Sequence, residues 1–172
     1  GHPVGQLFGY VHDRLFTEDD FTTNAAGEQV LKEGIPTQTF TAKVRPGDIK
    51  YVDLDQNGVI DTYDQMAIGG TENPEIVYGF GVNLRWKELD FGAMFQGIGR
   101  TWRILSSNIM PASNKGSMYN IFDNYQDRWT VDNQSQDVFY PRADYGPNAN
   151  NSQRSTWWLR NMSFLRLKNV EL

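Results

Sequence analysis

The 172-residue chain has no cysteine, which excludes a disulfide framework without fixing the compartment. No run of 18 or more apolar residues occurs, so no transmembrane helix is expected. Positive charge is not in excess: the formal net charge is −5, which argues against a nucleic-acid partner. Histidine is nearly absent. His2 and His12 stand too far apart, with no partners in sequence, to suggest a triad or a zinc site. No charged-then-apolar leader opens the chain and its first residue is not Met, so a processed or excised piece is expected. Aliphatic residues are sparse.

Aromatics are plentiful instead, at 13% of residues, with five Trp, eight Tyr and ten Phe. Asn, Asp, Gly and Ser are frequent. That mixture suits strands joined by long polar loops better than a helical bundle, and a length of 172 residues suffices for one domain with a real core.

One short stretch carries recognisable ligand chemistry. DLDQNGVIDTYD, residues 53–64, sets Asp53, Asp55, Asn57, Val59, Asp61 and Asp64 at positions one, three, five, seven, nine and twelve of a twelve-residue EF-hand-type loop. A hard divalent cation takes its oxygens from alternate short acidic side chains as the chain wraps around it. Gly58 permits the sharp bend, Val59 offers its backbone carbonyl, and Ile60 points inward as an anchor. Position twelve is Asp64 rather than the longer Glu, so bidentate ligation is harder. Calcium affinity is expected on the order of 10⁻⁴–10⁻³ M, with magnesium as a possible substitute. IKYVDL before the loop reads as a strand, and TYDQMAI after it as one helical turn stopped by Gly69-Gly70. Without an incoming helix or a second loop, a structural staple fits better than a calcium switch.

The clearest periodicity lies in YGFGVNLRWKELDFGAMFQG, residues 78–97. Tyr78, Phe80, Val82, Leu84 and Trp86 share one face, and Gly79, Gly81, Asn83 and Arg85 the other. Leu89, Phe91, Ala93 and Phe95 oppose Asp90, Gly92, Met94 and Gln96. Period two over both arms predicts a β-hairpin turning at Lys87-Glu88. Each arm has about nine residues, enough for a tilted strand to cross a membrane. Period alone does not separate a soluble sandwich, apolar side in, from a membrane barrel, apolar side out. Terminal aromatics and the tight turn lean toward the barrel.

Long segments flank the hairpin. GQLFGYVHDRLF looks extended, TEDDFTTNAAGEQVLKEG suggests a short helix, and RPGD at 45–48 a turn. SMYNIFDNYQDRW carries Met118, Ile121, Phe122, Tyr125 and Trp129 at helical spacing. WWLRNMSFLRLKNVEL resumes a strand whose alternation slips at Asn169, where a bulge would restore it. Trp157-Trp158 suggests an interfacial girdle or loop packing, with sugar stacking as the alternative. The carboxylates show no spacing that singles out an acid and a nucleophile, so no enzyme is expected. The reading is an all-β chain. Residues 1–172 form one incomplete antiparallel barrel region, with a first extracellular excursion at 13–77, a transmembrane hairpin at 78–97, a second excursion at 98–162 and the start of a further strand at 163–172. At most four strands are visible, too few to close a barrel.

GHPVGQLFGY, PGDIKYVDLDQNGVIDTYDQMAIGG, the YGFGVNLRWKELDFGAMFQG hairpin, DRWT and STWWLRNMSFLRLKNVEL occur in that order. Together they resemble the C-terminal part of the SusC/RagA-like, TonB-linked outer-membrane transporters. The resemblance implies a parent barrel with an internal plug, importing glycans or peptides across a Bacteroidetes-type outer membrane. It implies a SusD-like surface lipoprotein as lid and the TonB machinery, reached through parts absent here, as energy source. The acidic loop matches that family's motif. A soluble extracellular calcium-binding module for adhesion or glycan binding is the alternative.

Overall fold

A computed structural model describes residues 1–105, 122–144 and 148–172. It is all-β. The strands are β1 (Gln6–Tyr10), β2 (His12–Leu15), β3 (Phe21–Thr23), β4 (Gln29–Leu31), β5 (Thr37–Gln38), β6 (Ile49–Tyr51), β7 (Val59–Ile60), β8 (Gln65–Thr71), β9 (Ile76–Trp86), β10 (Leu89–Gly99), β11 (Trp102–Ile104), β12 (Leu159–Asn161) and β13 (Phe164–Glu171). Single 3₁₀ turns occur at Glu18–Asp20, Thr62–Asp64 and Asp123–Gln126. The chain divides into two compact units: Gly1–Leu7, Ala67–Ile104 and Leu159–Leu172 form one, Phe8–Met66 and Leu105–Trp158 the other.

The first unit is dominated by a three-stranded antiparallel sheet in the order β13-β10-β9. The hairpin turns at Lys87-Glu88, with Leu89 opposite Trp86, and its arms run to Ile76 and Gly99. The register sets Phe95 against Phe80, Ala93 against Val82 and Phe91 against Leu84. The Phe80 and Phe95 rings stack at 5.0 Å. On β13, Leu165 faces Gly97 and Leu167 faces Phe95, and then Asn169 faces Met94. Lys168 is therefore the extra residue of a bulge, one position before the expected slip. The bulge brings Val170 opposite Ala93, on the same face as Leu167. One face of the sheet thus runs apolar across all three strands. The other carries Asn83, Arg85, Asp90, Met94, Gln96, Arg166 and Asn169.

The second unit holds a conventional core. Phe16, Phe21 and Val44 pack together with Leu31 and Ile35 against them. Tyr10, Tyr51 and Phe40 make edge and tilted contacts at 4.9–5.8 Å. Trp157 and Trp158 are buried: their indole N–H groups donate to Phe139 O and Asn151 O, at 3.2 and 2.8 Å. They pack inside this unit, as the loop-packing reading has it, and form neither a sugar platform nor an interfacial girdle. The Arg45–Asp48 turn closes through Asp48 N donating to Arg45 O, with Gly47 at φ +85°.

Several local expectations are corrected. The stretch at 17–34 forms one 3₁₀ turn and then the β3–β4 hairpin; Thr22 and Thr23 favour extended backbone, and Gly27 at φ +79° turns it. After the acidic loop, the turn at Thr62–Asp64 passes directly into β8, which continues through Gly69 and Gly70. Of the helix expected over 118–129, residues 118–121 lie outside the described residues. The rest makes one 3₁₀ turn, and the Arg128–Tyr140 bridge draws Trp129 inward.

The two segments flanking the hairpin in sequence are combined in this second unit. Asp48, at 0% exposure, accepts from Arg45 N, Asn148 Nδ2, Asn151 Nδ2 and Arg142 Nη2. Burial holds its carboxyl above the ordinary value, and the Arg142 cation and the surrounding N–H donors offset only part of that rise. Gln38, also buried, donates to Ile49 O and to Asn150 Oδ1 and accepts from Tyr51 N. Asn150 in turn donates to Ile49 O, and Asn151 accepts from Ile49 N. Strand β6 is therefore hydrogen-bonded along its length by amide side chains.

Candidate functional site

The acidic loop begins where β6 ends and is shaped by its own side chains. Asp53 Oδ2 accepts from Gly58 N at 2.8 Å, closing the loop across its bend. Gly58 sits at φ +84° and Gln56 at φ +59°, so the chain makes two left-handed steps within three residues. Asn57 Oδ1 accepts from Val59 N and its Nδ2 donates to Asp55 Oδ2. Asp64 is fully buried and accepts from Leu54 N at 2.7 Å and Asp61 N at 2.9 Å, which ties the end of the loop to its start. Asp61 accepts from Tyr63 N and caps the 3₁₀ turn.

Carboxylate oxygens of Asp53, Asp55 and Asp64 lie within 4.8 Å of one another. Three like charges at that separation repel unless protons or a cation are supplied. The Asp55 carboxyl is raised above the ordinary value. Desolvation is the main cause, opposed by Asn57 N, and the carboxylates of Asp53 and Asp64 add to it. Asp53 Oδ1 is buried and has no hydrogen-bond partner among the described residues. A buried carboxylate oxygen without a donor is costly unless a cation occupies the space before it. Gly58 O and Ile60 O accept from Thr37 N and Thr39 N, so strand alternation turns the Val59 carbonyl between them to the opposite side. The donor set fits a hard divalent cation. Asp61 stands apart from the three-carboxylate group, and its Oδ1 accepts from Tyr63 N.

The second feature is the sheet itself. Phe80, Val82, Leu84, Leu165, Leu167 and Val170 stay between 43 and 60% exposed. Covering each would gain about 1 kcal/mol, half the value for full burial. Trp86, at 68% exposure, lies beside the hairpin turn, with Lys87 Nζ 4.8 Å from its ring. The opposite face pairs charge with charge or amide: Arg85 with Asp90 at 3.3 Å, Lys168 with Gln96 at 3.1 Å. Soluble domains seldom leave a contiguous apolar face of this extent open.

Strands of eleven residues, apolar on one side and polar on the other and joined by a tight turn, define a segment of a transmembrane β-barrel. No protein-family model matches the chain. It is 31% identical over 128 residues to TonB-dependent receptor P26 of Formosa agariphila, covering 73% of this chain and 12% of that protein. It is 27% identical over 174 residues to TonB-dependent receptor P3 of the same organism, covering 99% of this chain and 15% of the relative. Among solved structures, the RagAB peptide transporter superposes with a TM-score of 0.53 over 96% of this chain and 15% of its own, at 23% identity, a likeness of fold. The chain thus spans under a sixth of the length of the proteins it matches. It belongs to the TonB-dependent receptors. Both of these relatives are named as receptors.

Proposed function

We propose that the chain is part of an outer-membrane, TonB-dependent importer of glycans or peptides, contributing barrel strands and extracellular structure. The observation that carries this is the open three-stranded sheet, apolar across β9, β10 and β13 on one face and charged on the other. In this role the apolar face meets lipid, and Asn83, Gln96 and Arg166 face the lumen. The short Lys87-Glu88 turn then lies on the periplasmic side, and the unit formed by Phe8–Met66 and Leu105–Trp158 lies outside the cell. A SusD-like surface lipoprotein is the expected partner there, with TonB engaged by other parts of the receptor. The relatives from Formosa agariphila support a Bacteroidetes-type outer membrane, and the RagAB likeness favours peptides among the possible cargoes.

Calcium, in this reading, is held by Asp53, Asp55, Asn57, the Val59 carbonyl and Asp64, with Asp61 reaching the ion through water. It neutralises the three gathered carboxylates and staples the extracellular loop. A soluble calcium module would need a second layer over Val82 and Phe80, yet these are 43 and 48% exposed.

The experiment is to express the full-length receptor and fractionate the cells. Recovery with outer membranes and heat-modifiable migration are expected; recovery of a soluble protein overturns the assignment. For the metal, calorimetry of the purified receptor against its Asp55→Ala variant should show calcium binding only in the former.

A further inference from the structure

We propose that metal occupancy of loop 53–64 is transmitted through Gln38 to the segment 148–158, so that calcium orders a second stretch of chain with no ligand of its own. The inference rests on the calcium reading above and deepens it.

The path is short and made of hydrogen bonds. The backbone of the loop at Gly58–Ile60 is clasped by β5. Thr37 N donates to Gly58 O at 3.0 Å and Thr39 N to Ile60 O at 3.2 Å, and the Thr39 hydroxyl donates to the same Ile60 O at 2.8 Å. These carbonyls flank Val59, the proposed backbone ligand, so fixing Val59 fixes the strand beside it. Between the two threonines sits Gln38, 6% exposed, whose side chain points away from the loop into the core. Its amide donates to Asn150 Oδ1 at 2.6 Å and to Ile49 O at 2.9 Å, and its carbonyl accepts from Tyr51 N at 2.9 Å. Asn150 and Asn151 then anchor their segment. Tyr51 Oη donates to Asn150 O at 2.7 Å, and Trp158 Nε1 donates to Asn151 O at 2.8 Å.

Gln38 is thus the one side chain among the described residues that both sits in the strand bound to the metal loop and bonds directly to segment 148–158. Strand β5 is only two residues long and pairs with a two-residue partner, β7. Such an element has little stability of its own and is a natural site of local opening. When it opens, Gln38 leaves Asn150, and a buried amide pair loses both partners together. A cation that holds Gly58–Ile60 in place suppresses that opening, and the protection extends as far as the hydrogen-bonded unit does. Coupling of this kind is reciprocal: whatever loosens segment 148–158 must weaken the metal by the same factor.

The test is hydrogen exchange, read by mass spectrometry, on the full-length receptor in detergent, with calcium, with magnesium and with chelator. At calcium near 100 times Kd, exchange over 53–64 should slow by up to about 100-fold, and peptides over 37–39 and 148–158 should slow with it. The wild-type protein suffices for this comparison. Protection of 53–64 with unchanged exchange at 148–158 overturns the coupling and leaves the calcium site standing. No protection anywhere overturns both. As the reciprocal arm, Asn150→Ala, which removes no metal ligand, should lower calcium affinity several-fold by calorimetry; unchanged affinity overturns the proposal.

Discussion

The ring of Tyr78 covers Gly97. A Cβ placed on Gly97 would lie 2.3 Å from Tyr78 Cζ and 2.6 Å from Phe164 O. The glycine lets an aromatic ring of β9 lie flat over β10 and reach β13, where Tyr78 Oη donates to Phe164 O at 3.4 Å. Gly97→Ala should therefore destabilise the sheet by about 1–3 kcal/mol, the usual cost of overpacking, and Gly97→Val by more. Both would appear as a lower temperature for loss of the compact band in heat-modifiability gels. Tyr78→Ala should relieve only part of the effect, since the Phe164 carbonyl is backbone.

Two aspartates of the acidic loop should behave differently without any metal. Asp64 is buried and satisfies Leu54 N and Asp61 N. Asp64→Ala leaves two loop N–H groups without acceptors, a cost of about 1–3 kcal/mol each where they stay dry. Asp55 is exposed, and its removal should cost little in chelator. In calcium the order changes: Asp55→Ala forfeits the stabilisation that the ion supplies. Limited proteolysis of the loop, with and without calcium, separates the structural aspartate from the ligand.

Acid should loosen the second unit through Asp20. Its carboxylate receives both Arg14 guanidinium nitrogens at 2.6 Å and the Thr17 N–H at 2.8 Å. Burial by itself would raise this carboxyl; Arg14, Thr17 and Lys50 outweigh it and hold the carboxyl below the ordinary value. The folded state therefore binds fewer protons than the unfolded chain. The resulting stability is complete above the unfolded value, about 3.9, and is lost as pH falls through the lower folded value. Near-ultraviolet circular dichroism of the buried Trp129, Trp157 and Trp158 should report the loss at low pH, and Asp20→Asn should flatten that limb.

The parts legible in sequence are those in which a residue's role depends on its near neighbours. Period two survives in β9 and β10 because, among the described residues, no second layer packs on their apolar face, so the pattern has one cause. The acidic loop is legible because its geometry comes from its own Asp, Asn and Gly. The bulge was visible as a slip in β13, and its exact residue, Lys168, was settled by pairing with β10. The second unit was opaque for the opposite reason. Asp48, Gln38, Asn150 and Asn151 are polar residues in turn-rich stretches, where surface loops are the natural reading. Only their mutual contacts, across more than 100 residues between Asp48 and Asn151, make them a core. The same holds at Gly47, whose turn was evident from RPGD. The Trp129 ring, 2.3 Å from where its Cβ would fall, was not.

That ring makes Gly47 more sensitive than Gly27, Gly34 or Gly58, none of which has an atom within 4 Å of where a Cβ would fall. Substitution by Ala meets a left-handed backbone at φ +85°, costing about 1–2 kcal/mol, and displaces Trp129 from its packing besides. Gly27, at a similar φ of +79° with nothing within 4 Å, should lose only the backbone part. Comparing Gly47→Ala with Gly27→Ala by tryptophan fluorescence and proteolysis of the purified receptor isolates the contribution of the ring.

The orientation of the sheet gives the sharpest prediction. Val82 and Asn83 are adjacent on β9 and point to opposite faces, paired with Ala93 and Gly92. If the apolar face meets acyl chains, arginine at Val82 must be driven into hydrocarbon, at about 2–4 kcal/mol near the midplane. Arginine at Asn83 enters a face that already holds Arg85, Asp90 and Glu171, and should be nearly neutral. Refolding the two variants of the full-length receptor into lipid vesicles, with the folded fraction read from gel mobility, compares them directly. Val82→Arg should fold poorly and Asn83→Arg like the parent. Equal behaviour, or the reverse order, means that the face now assigned to lipid is covered by protein.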